Sequence, residues 1–290
     1  LKIALLGSTG MLGSRLSLEL SRRNHQVLTP SRDAADLTRP LLLEKFFRDN
    51  EFDVLINASG YTRVDYCEEP SQFAVAQTVN GAGVAWLARF CQQKGRFLIH
   101  YSTDYVFDGA KETPYDETDI PHPLNAYGRT KWEGERLLQA ENPGFYILRT
   151  SWLYGPGSRK NFVTTMIDTF KSRAKAEVVS DQVGAPTYVP DLASFTSDLL
   201  ERKAPSGIFH FSNSGFASWY DFAAEIQKRT GLTQCRLLPA STETVFRPAV
   251  RPANSRFNLS KAETFLGKPI RPWAEALGEY LSKELGIETA

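Results

Sequence analysis

Residues 2–13 read Lys2-Ile3-Ala4-Leu5-Leu6-Gly7-Ser8-Thr9-Gly10-Met11-Leu12-Gly13, and Leu12, Leu16 and Leu20 then recur at helical spacing. A short apolar strand, a glycine loop and an amphipathic helix therefore follow one another without a break. That order suits a dinucleotide. Glycine lets the chain turn tightly, lets backbone N–H groups approach a pyrophosphate at a helix N-terminus, and lets the helix pack closely on the strand. The spacing is G-x-x-G-x-x-G, not the commoner G-x-G-x-x-G, and a glycine-rich turn before a helix can also be purely structural.

The residues on either side decide for the first reading, because strand and helix patterns keep alternating. Gln26–Thr29 reads as a second strand, Pro40–Asp49 as a helix and Asp53–Asn57 as a buried strand; Pro70 opens a helical region and Val84, Leu87, Ala88 and Cys91 mark the next. Arg96–Tyr101 is a further buried strand. The order β-α-β-α-β-α-β predicts an α/β fold, a doubly wound parallel sheet of the Rossmann kind with helices on both faces. In such a sheet the residue after the second strand reads the adenosine ribose. Arg32 stands there in place of an acid, which suits a 2′-phosphate and favours NADP over NAD; a solvated loop arginine is the alternative. Asp36 suits the adenine edge or a simple turn, and Asn57-Ala58-Ser59-Gly60, at the end of the third strand, is expected to border the cofactor.

Tyr101 to Lys131 carries the second signal. Among eleven tyrosines only Tyr127 has a lysine four residues on. Asn125 suits an N-cap, which sets Tyr127 in the first helical turn and Lys131 one turn later on the same face. A cation and the positive end of a helix both favour a phenolate, so this tyrosine is expected to exchange a proton with a substrate oxygen near neutral pH. Thr103, at the carboxyl end of the preceding strand, can offer a hydroxyl to the same oxygen. On spacing alone, an exposed helix with a surface Tyr and Lys is an equal reading.

Composition excludes other classes. At 290 residues the chain can bury a large core, and its net charge of +1 gives no electrostatic reason to expect nucleic acid or an anionic membrane as partner. Cys67, Cys91 and Cys235 lack metal-ligand spacing and read as ordinary thiols of a reducing compartment. No apolar run approaches the ~20 residues of a membrane span. A soluble, cytoplasmic protein without a metal site is expected.

GSTGMLG, INASGYTRVD, YSTDYVFDG, PLNAYGRTKWEGE, LRTSWLYG, KNF, SDQVGAPTYVPDLA and RPANSRFNLSK occur in this order along nearly the whole chain. In this the chain resembles the extended short-chain dehydrogenase/reductases, and within them the dTDP-4-dehydrorhamnose reductases. The resemblance implies NADPH-dependent reduction of the C4 ketone of dTDP-4-dehydro-6-deoxy-L-mannose to dTDP-L-rhamnose, with Thr103, Tyr127 and Lys131 catalytic. It implies cofactor contacts from Gly7, Thr9, Gly10, Met11, Leu12, Gly13, Arg32, Asp36, Leu37, Ala58, Ser59 and Gly60, together with Tyr127 and Lys131. It also implies a sugar pocket lined by Thr62, Val64, Tyr105 and Asn161, with Arg251 at the diphosphate and Trp152 stacked on thymine. By position alone Trp152, just past a strand end, reads as core. The resemblance further implies a discontinuous division, with 1–153 and 186–213 binding NADP and 154–185 and 214–290 forming a smaller α/β domain for the nucleotide sugar. Some bacterial reductases of this type join subunits through acidic residues and magnesium; here those positions are Arg15 and Pro190, so a homodimer would form without that bridge. Two other readings stay open: a reductase or epimerase of another nucleotide sugar, and an NADP-binding regulatory subunit like that of methionine adenosyltransferase, which shares the glycine loop and the DYVFDG run.

Overall fold

The computed structural model describes residues 1–141, 144–158 and 160–287; the end of the expected second domain, 288–290, lies outside them. In chain order the regular elements begin with β1 (Lys2–Leu6), α1 (Met11–Arg22), β2 (Gln26–Leu28), α2 (Pro40–Asp49), β3 (Val54–Asn57), α3 (Pro70–Gln77), α4 (Gly83–Lys94), β4 (Phe97–Thr103), α5 (Ala126–Glu141) and β5 (Phe145–Thr150). They continue with β6 (Leu153–Tyr154), α6 (Phe162–Ser172), β7 (Lys175–Val179), β8 (Val183–Gly184), β9 (Thr187–Tyr188), α7 (Val189–Glu201) and β10 (Gly207–His210). The last are β11 (Ala217–Ser218), α8 (Trp219–Thr230), β12 (Arg236–Ala240), α9 (Ser260–Leu266) and α10 (Trp273–Glu279).

Six strands form one sheet in the order β10-β5-β4-β3-β1-β2, and every pairing is parallel. The strands alternate between two cores, as a sheet covered on both faces requires. Ile3, Leu5, Val54, Ile56, Ile99 and Leu148 join α1 and α7 through Leu16, Leu20, Leu192, Phe195 and Leu199. Ala4, Leu6, Leu55, Leu98 and Ile147 face the other way, onto Leu43 and Phe47 of α2 and Leu87 and Ala88 of α4. This is the doubly wound parallel sheet expected. The second strand is one residue shorter than its sequence pattern, because only Gln26 to Leu28 find partners on β1.

A third apolar cluster stands apart from the sheet. Tyr154, Val163 and Phe170 pack there with Phe222, Ile226, Leu277 and Leu281 of the later helices. Around it lie three two-stranded pairs: β6 with β9, β7 with β12, and β8 antiparallel to β11. Helix α8 opens with a full capping box, Ser218 accepting from the Asp221 N–H while Asp221 accepts from the Ser218 N–H, and closes on Gly231 in the left-handed conformation. Among the described residues no helix is long and apolar enough to cross a membrane.

Candidate active site

Strand order reverses between β1 and β3, and open α/β sheets place ligands at the carboxyl ends of their strands at such a point. A cleft of about 510 Å3 opens there, lined by Gly7, Thr9, Gly10, Arg32, Asp36, Leu37, Ala58, Ser59, Gly60 and Thr62 among others. A second cleft of about 550 Å3, walled by Phe47, Trp86 and Phe90, lies at the opposite ends of the strands, away from every group singled out above.

The glycines of the first cleft are steric necessities. Gly7 adopts φ +78°, and a Cβ there would come within 2.7 Å of the Ala58 carbonyl. A Cβ on Gly13 would run into the Gly7 carbonyl oxygen. Helix α1 starts from Gly10 with no side chain capping it, so its first-turn N–H groups stay open to an anion. Met11 is half-buried beside them, whereas Leu12 turns its side chain into the core and can offer the cleft only its backbone. Arg32 is 80% exposed at the rim, its Nε bonded to Asp36 Oδ2 at 2.9 Å. Asp36 also accepts from the Thr38 N–H and hydroxyl, and burial is outweighed by these bonds, which hold its carboxyl below the usual range. Sequence reading missed Tyr61 and Arg63, which line the same cleft. They lie in the run INASGYTRVD, where no spacing rule marks a loop tyrosine or arginine as lining a cleft.

Helix α5 is set by its first residues. Asn125 Oδ1 accepts the Gly128 N–H at 2.7 Å, an N-cap as expected, while its Nδ2 donates to the Val250 carbonyl at 2.7 Å. Gly128 lets the helix close onto the turn after β4, since a Cβ there would strike the Tyr105 carbonyl. Tyr127 is consequently buried, edge-on to Tyr105 with ring centroids 6.0 Å apart, in a small apolar group with Val64, Cys67, Phe73 and Ala126. The Thr103 side chain acts on its hydroxyl, favouring the ionised form. Thr103 Oγ1 in turn donates to Asp104 Oδ1 at 3.0 Å and accepts the Tyr105 N–H. Burial pushes the Asp104 carboxyl up to about 6.

Here the expected electrostatics are corrected. The Tyr127 phenol lies above its ordinary range, raised first by burial and then by the Asp104 carboxylate, with Thr103 opposing. Lys131 does not counter this in the free protein, because its Nζ is directed elsewhere: it donates to the Tyr101 carbonyl at 2.6 Å and lies 3.2 Å from His100 Nε2. Burial lowers the Lys131 ammonium to about 8, with Glu135 opposing. The phenol is therefore held protonated, ready to donate.

On the substrate side Thr62 is exposed at the cleft, and Val64 and Tyr105 flank Tyr127. Arg251 forms a two-pronged pair with Asp65, Nη1 to Oδ1 at 2.6 Å and Nη2 to Oδ2 at 2.8 Å, so any phosphate must compete with that carboxylate. Trp152 adopts φ +48°, a conformation non-glycine residues rarely take, and stacks on Trp219 at 3.7 Å. Trp219 gave no signal in the sequence beyond being one of five tryptophans. Asn161 has another job than the sugar contact expected of it. It caps α6 in a capping box with Thr164, and its Nδ2 donates to the Gly155 carbonyl and to the Tyr280 hydroxyl, which engages the whole amide within the fold. Arg15 pairs with Glu284, and among the described residues no three His, Cys, Asp or Glu side chains gather as a metal site.

Comparison with known proteins places these features in context. The model of the RmlD substrate binding domain matches residues 1–285. The dTDP-4-dehydrorhamnose reductase of Burkholderia thailandensis is 38% identical over 294 aligned positions, covering 96% of this chain and 97% of that protein. A solved dTDP-4-dehydrorhamnose reductase from Clostridium acetobutylicum superposes with a TM-score of 0.93 at 39% identity, covering 98% of this chain and 100% of the other. Another, from Bacillus anthracis in complex with NADP, gives a TM-score of 0.90 at 32% identity and covers 97% of this chain and 99% of its own.

Proposed function

The chain belongs to the RmlD substrate binding domain family, and from that premise we infer that it is an NADPH-dependent oxidoreductase that reduces the C4 ketone of dTDP-4-dehydro-6-deoxy-L-mannose to give dTDP-L-rhamnose. The observation that carries the reading is the buried Tyr127 under the influence of Thr103, with Lys131 one turn later on the same buried face of α5, next to a glycine-lined cleft. The glycine cradle at Gly7 and Gly13, the uncapped start of α1 and the rim cations Arg32 and Arg63 fit a dinucleotide phosphate. NADPH, when bound, supplies the hydride. Tyr127 gives its phenolic proton to the developing alkoxide. Thr103 hydrogen-bonds the substrate oxygen, and Lys131 holds the nicotinamide ribose and stabilises the phenolate left behind. Thr62, Val64 and Tyr105 shape the sugar pocket, Arg251 meets the diphosphate on leaving Asp65, and Trp152 stacks on the base.

We propose the division 1–153 with 186–213 for the cofactor and 154–185 with 214–290 for the nucleotide sugar, supported by the separate apolar cluster around Phe170 and Phe222. Cytoplasmic location is supported by three buried free thiols, and any homodimer would form without magnesium.

Two expectations test this function. Arg32→Ala should weaken NADPH about tenfold and leave NADH affinity unchanged, since an exposed charge-assisted contact is worth the lower end of its range. Fluorescence titration with both cofactors decides, and equal losses would remove Arg32 from 2′-phosphate recognition. dTDP should bind in the presence of NADPH, and Trp152→Ala should cost about 1–3 kcal/mol of that affinity in calorimetry, by analogy with base–aromatic stacking. A protein that binds NADPH but no dTDP at millimolar concentration would favour the regulatory-subunit reading instead.

A further inference from the structure

Beneath Lys131 runs a buried polar chain that the mechanism above does not use. Asn57, His100 and Lys131 are respectively 1%, 0% and 4% exposed. Asn57, the last residue of β3, accepts the Ser59 N–H on Oδ1 at 3.1 Å and sets Nδ2 3.2 Å from His100 Nδ1. His100 Nε2 lies 3.2 Å from Lys131 Nζ, which also donates to the Tyr101 carbonyl.

The donors in this chain can be assigned from the one end that has no choice. A backbone N–H only donates, so the Asn57 atom facing Ser59 is the oxygen and the amide nitrogen faces the imidazole. That nitrogen only donates as well, so His100 Nδ1 is the acceptor. His100 is neutral, driven well below its ordinary range by burial and by Lys131, and a neutral imidazole with Nδ1 free carries its proton on Nε2. The imidazole thus turns an N–H towards Lys131. An ammonium, which has three donors and no acceptor, meets it donor to donor, whereas a neutral amine accepts it and still donates to Tyr101.

We propose that Asn57 and His100 are positioning residues that set the hydrogen-bonding state of Lys131: the Asn57 amide, oriented by the Ser59 N–H of the cofactor loop, fixes the Nε2–H tautomer of His100, and that tautomer favours release of a proton from Lys131. The role rests on the reading of Lys131 as the lysine of the active site. It links the charge of that lysine to the loop bordering the dinucleotide. The lowered affinity of Lys131 for its proton agrees with this geometry. On its own helix Lys131 has Tyr127 one turn before it and Glu135, itself paired with Arg149, one turn after it; Asp104 and Cys67 act on Tyr127. Of these only Glu135 acts on Lys131 appreciably, and it acts in the opposite sense.

Asn57→Asp reverses the device with a change of one atom. The carboxylate still accepts the Ser59 N–H, but its second oxygen demands Nδ1–H, which presents the Nε2 lone pair to an ammonium. Nitrogen-15 spectra of histidine-labelled protein without cofactor, with His100 assigned through His100→Phe, should show the Nε2–H tautomer in the wild type and Nδ1–H in Asn57→Asp. In NADPH titrations across pH, the alkaline loss of affinity should move up by about one unit or more in Asn57→Asp. In a His100→Phe background the same substitution should produce a clearly smaller shift, that of the new carboxylate's direct attraction, because the imidazole transmits the rest. An Nδ1–H wild type overturns the proposal, as does an alkaline limb that stays in place in Asn57→Asp while His100 is present. The spectra require neither substrate nor cofactor, so they decide the tautomer even if the reductase reading fails.

Discussion

Tyr127→Phe is expected to lower turnover by about a hundredfold or more while NADPH affinity stays close to that of the wild type, since general acid catalysis commonly contributes about 10²–10⁴. The substitution removes one buried hydroxyl and almost nothing else. The ring keeps its edge contact with Tyr105 and its place among Val64, Cys67 and Ala126, so the fold around it should hold. Thr103 keeps both its bonds, to Asp104 and from the Tyr105 N–H. The phenol lies above its ordinary range, so the proton it gives is present throughout the neutral range and its own titration should not shape the rate there. A decline of kcat/KM above about pH 8 should instead report Lys131 in the free enzyme. Steady-state rates alongside cofactor titration and a thermal melt separate the cases; near-normal turnover would remove Tyr127 from the mechanism.

Glu135→Ala should cost about 3–5 kcal/mol of folding stability, the penalty for stranding a buried charge. Glu135 and Arg149 are 0% and 1% exposed, and Arg149 meets both carboxylate oxygens, with Nη2 to Oε2 at 2.7 Å and Nε to Oε1 at 3.0 Å. The guanidinium also lies over the Phe107 ring at 5.1 Å, so it has no route to solvent once its partner is gone. Replacing both residues by apolar side chains of similar volume should cost far less, because no charge is then left unpaired. Urea unfolding of the single and double variants gives the comparison. A single variant that loses under about 1 kcal/mol would mean that water or a rearranged carboxylate reaches Arg149.

The alternation of apolar strands and helices was legible because the central strands β1, β3, β4 and β5 are buried on both faces and every crossover carries a helix. The cap Asn125 was legible for a similar reason: its spacing to the helix it starts is local. What escaped reading depends on partners far apart in the chain. The pairing of Arg251 with Asp65 joins residues 186 positions apart, and nothing local to either announces the other. The two-residue strands of the smaller sheets are too short to show a period. His100 follows the apolar run Phe97-Leu98-Ile99 of its strand and has no motif to mark it, although its burial follows from the strand around it. The role of Asn161 was in fact readable, since Asn161-x-x-Thr164 is a capping pattern that the resemblance to a sugar-binding residue overshadowed.

The parallel sheet has a consequence for how the protein is made. The glycine loop and α1 are synthesised well before the segments that complete their core, which include α7, the edge strand β10 and Leu259, Ala262 and Ile270. None of these exists while the first five strands leave the ribosome. Until residue 189 and beyond have emerged, β5 is an open edge, and the apolar flank of α1 has nothing to rest on. Closing so long a stretch of chain is slow, because its entropy must be lost before the contact is gained. Nascent chains of this protein therefore pass through a period with an unpaired strand and uncovered apolar surface, the state in which chaperones and self-association compete for them.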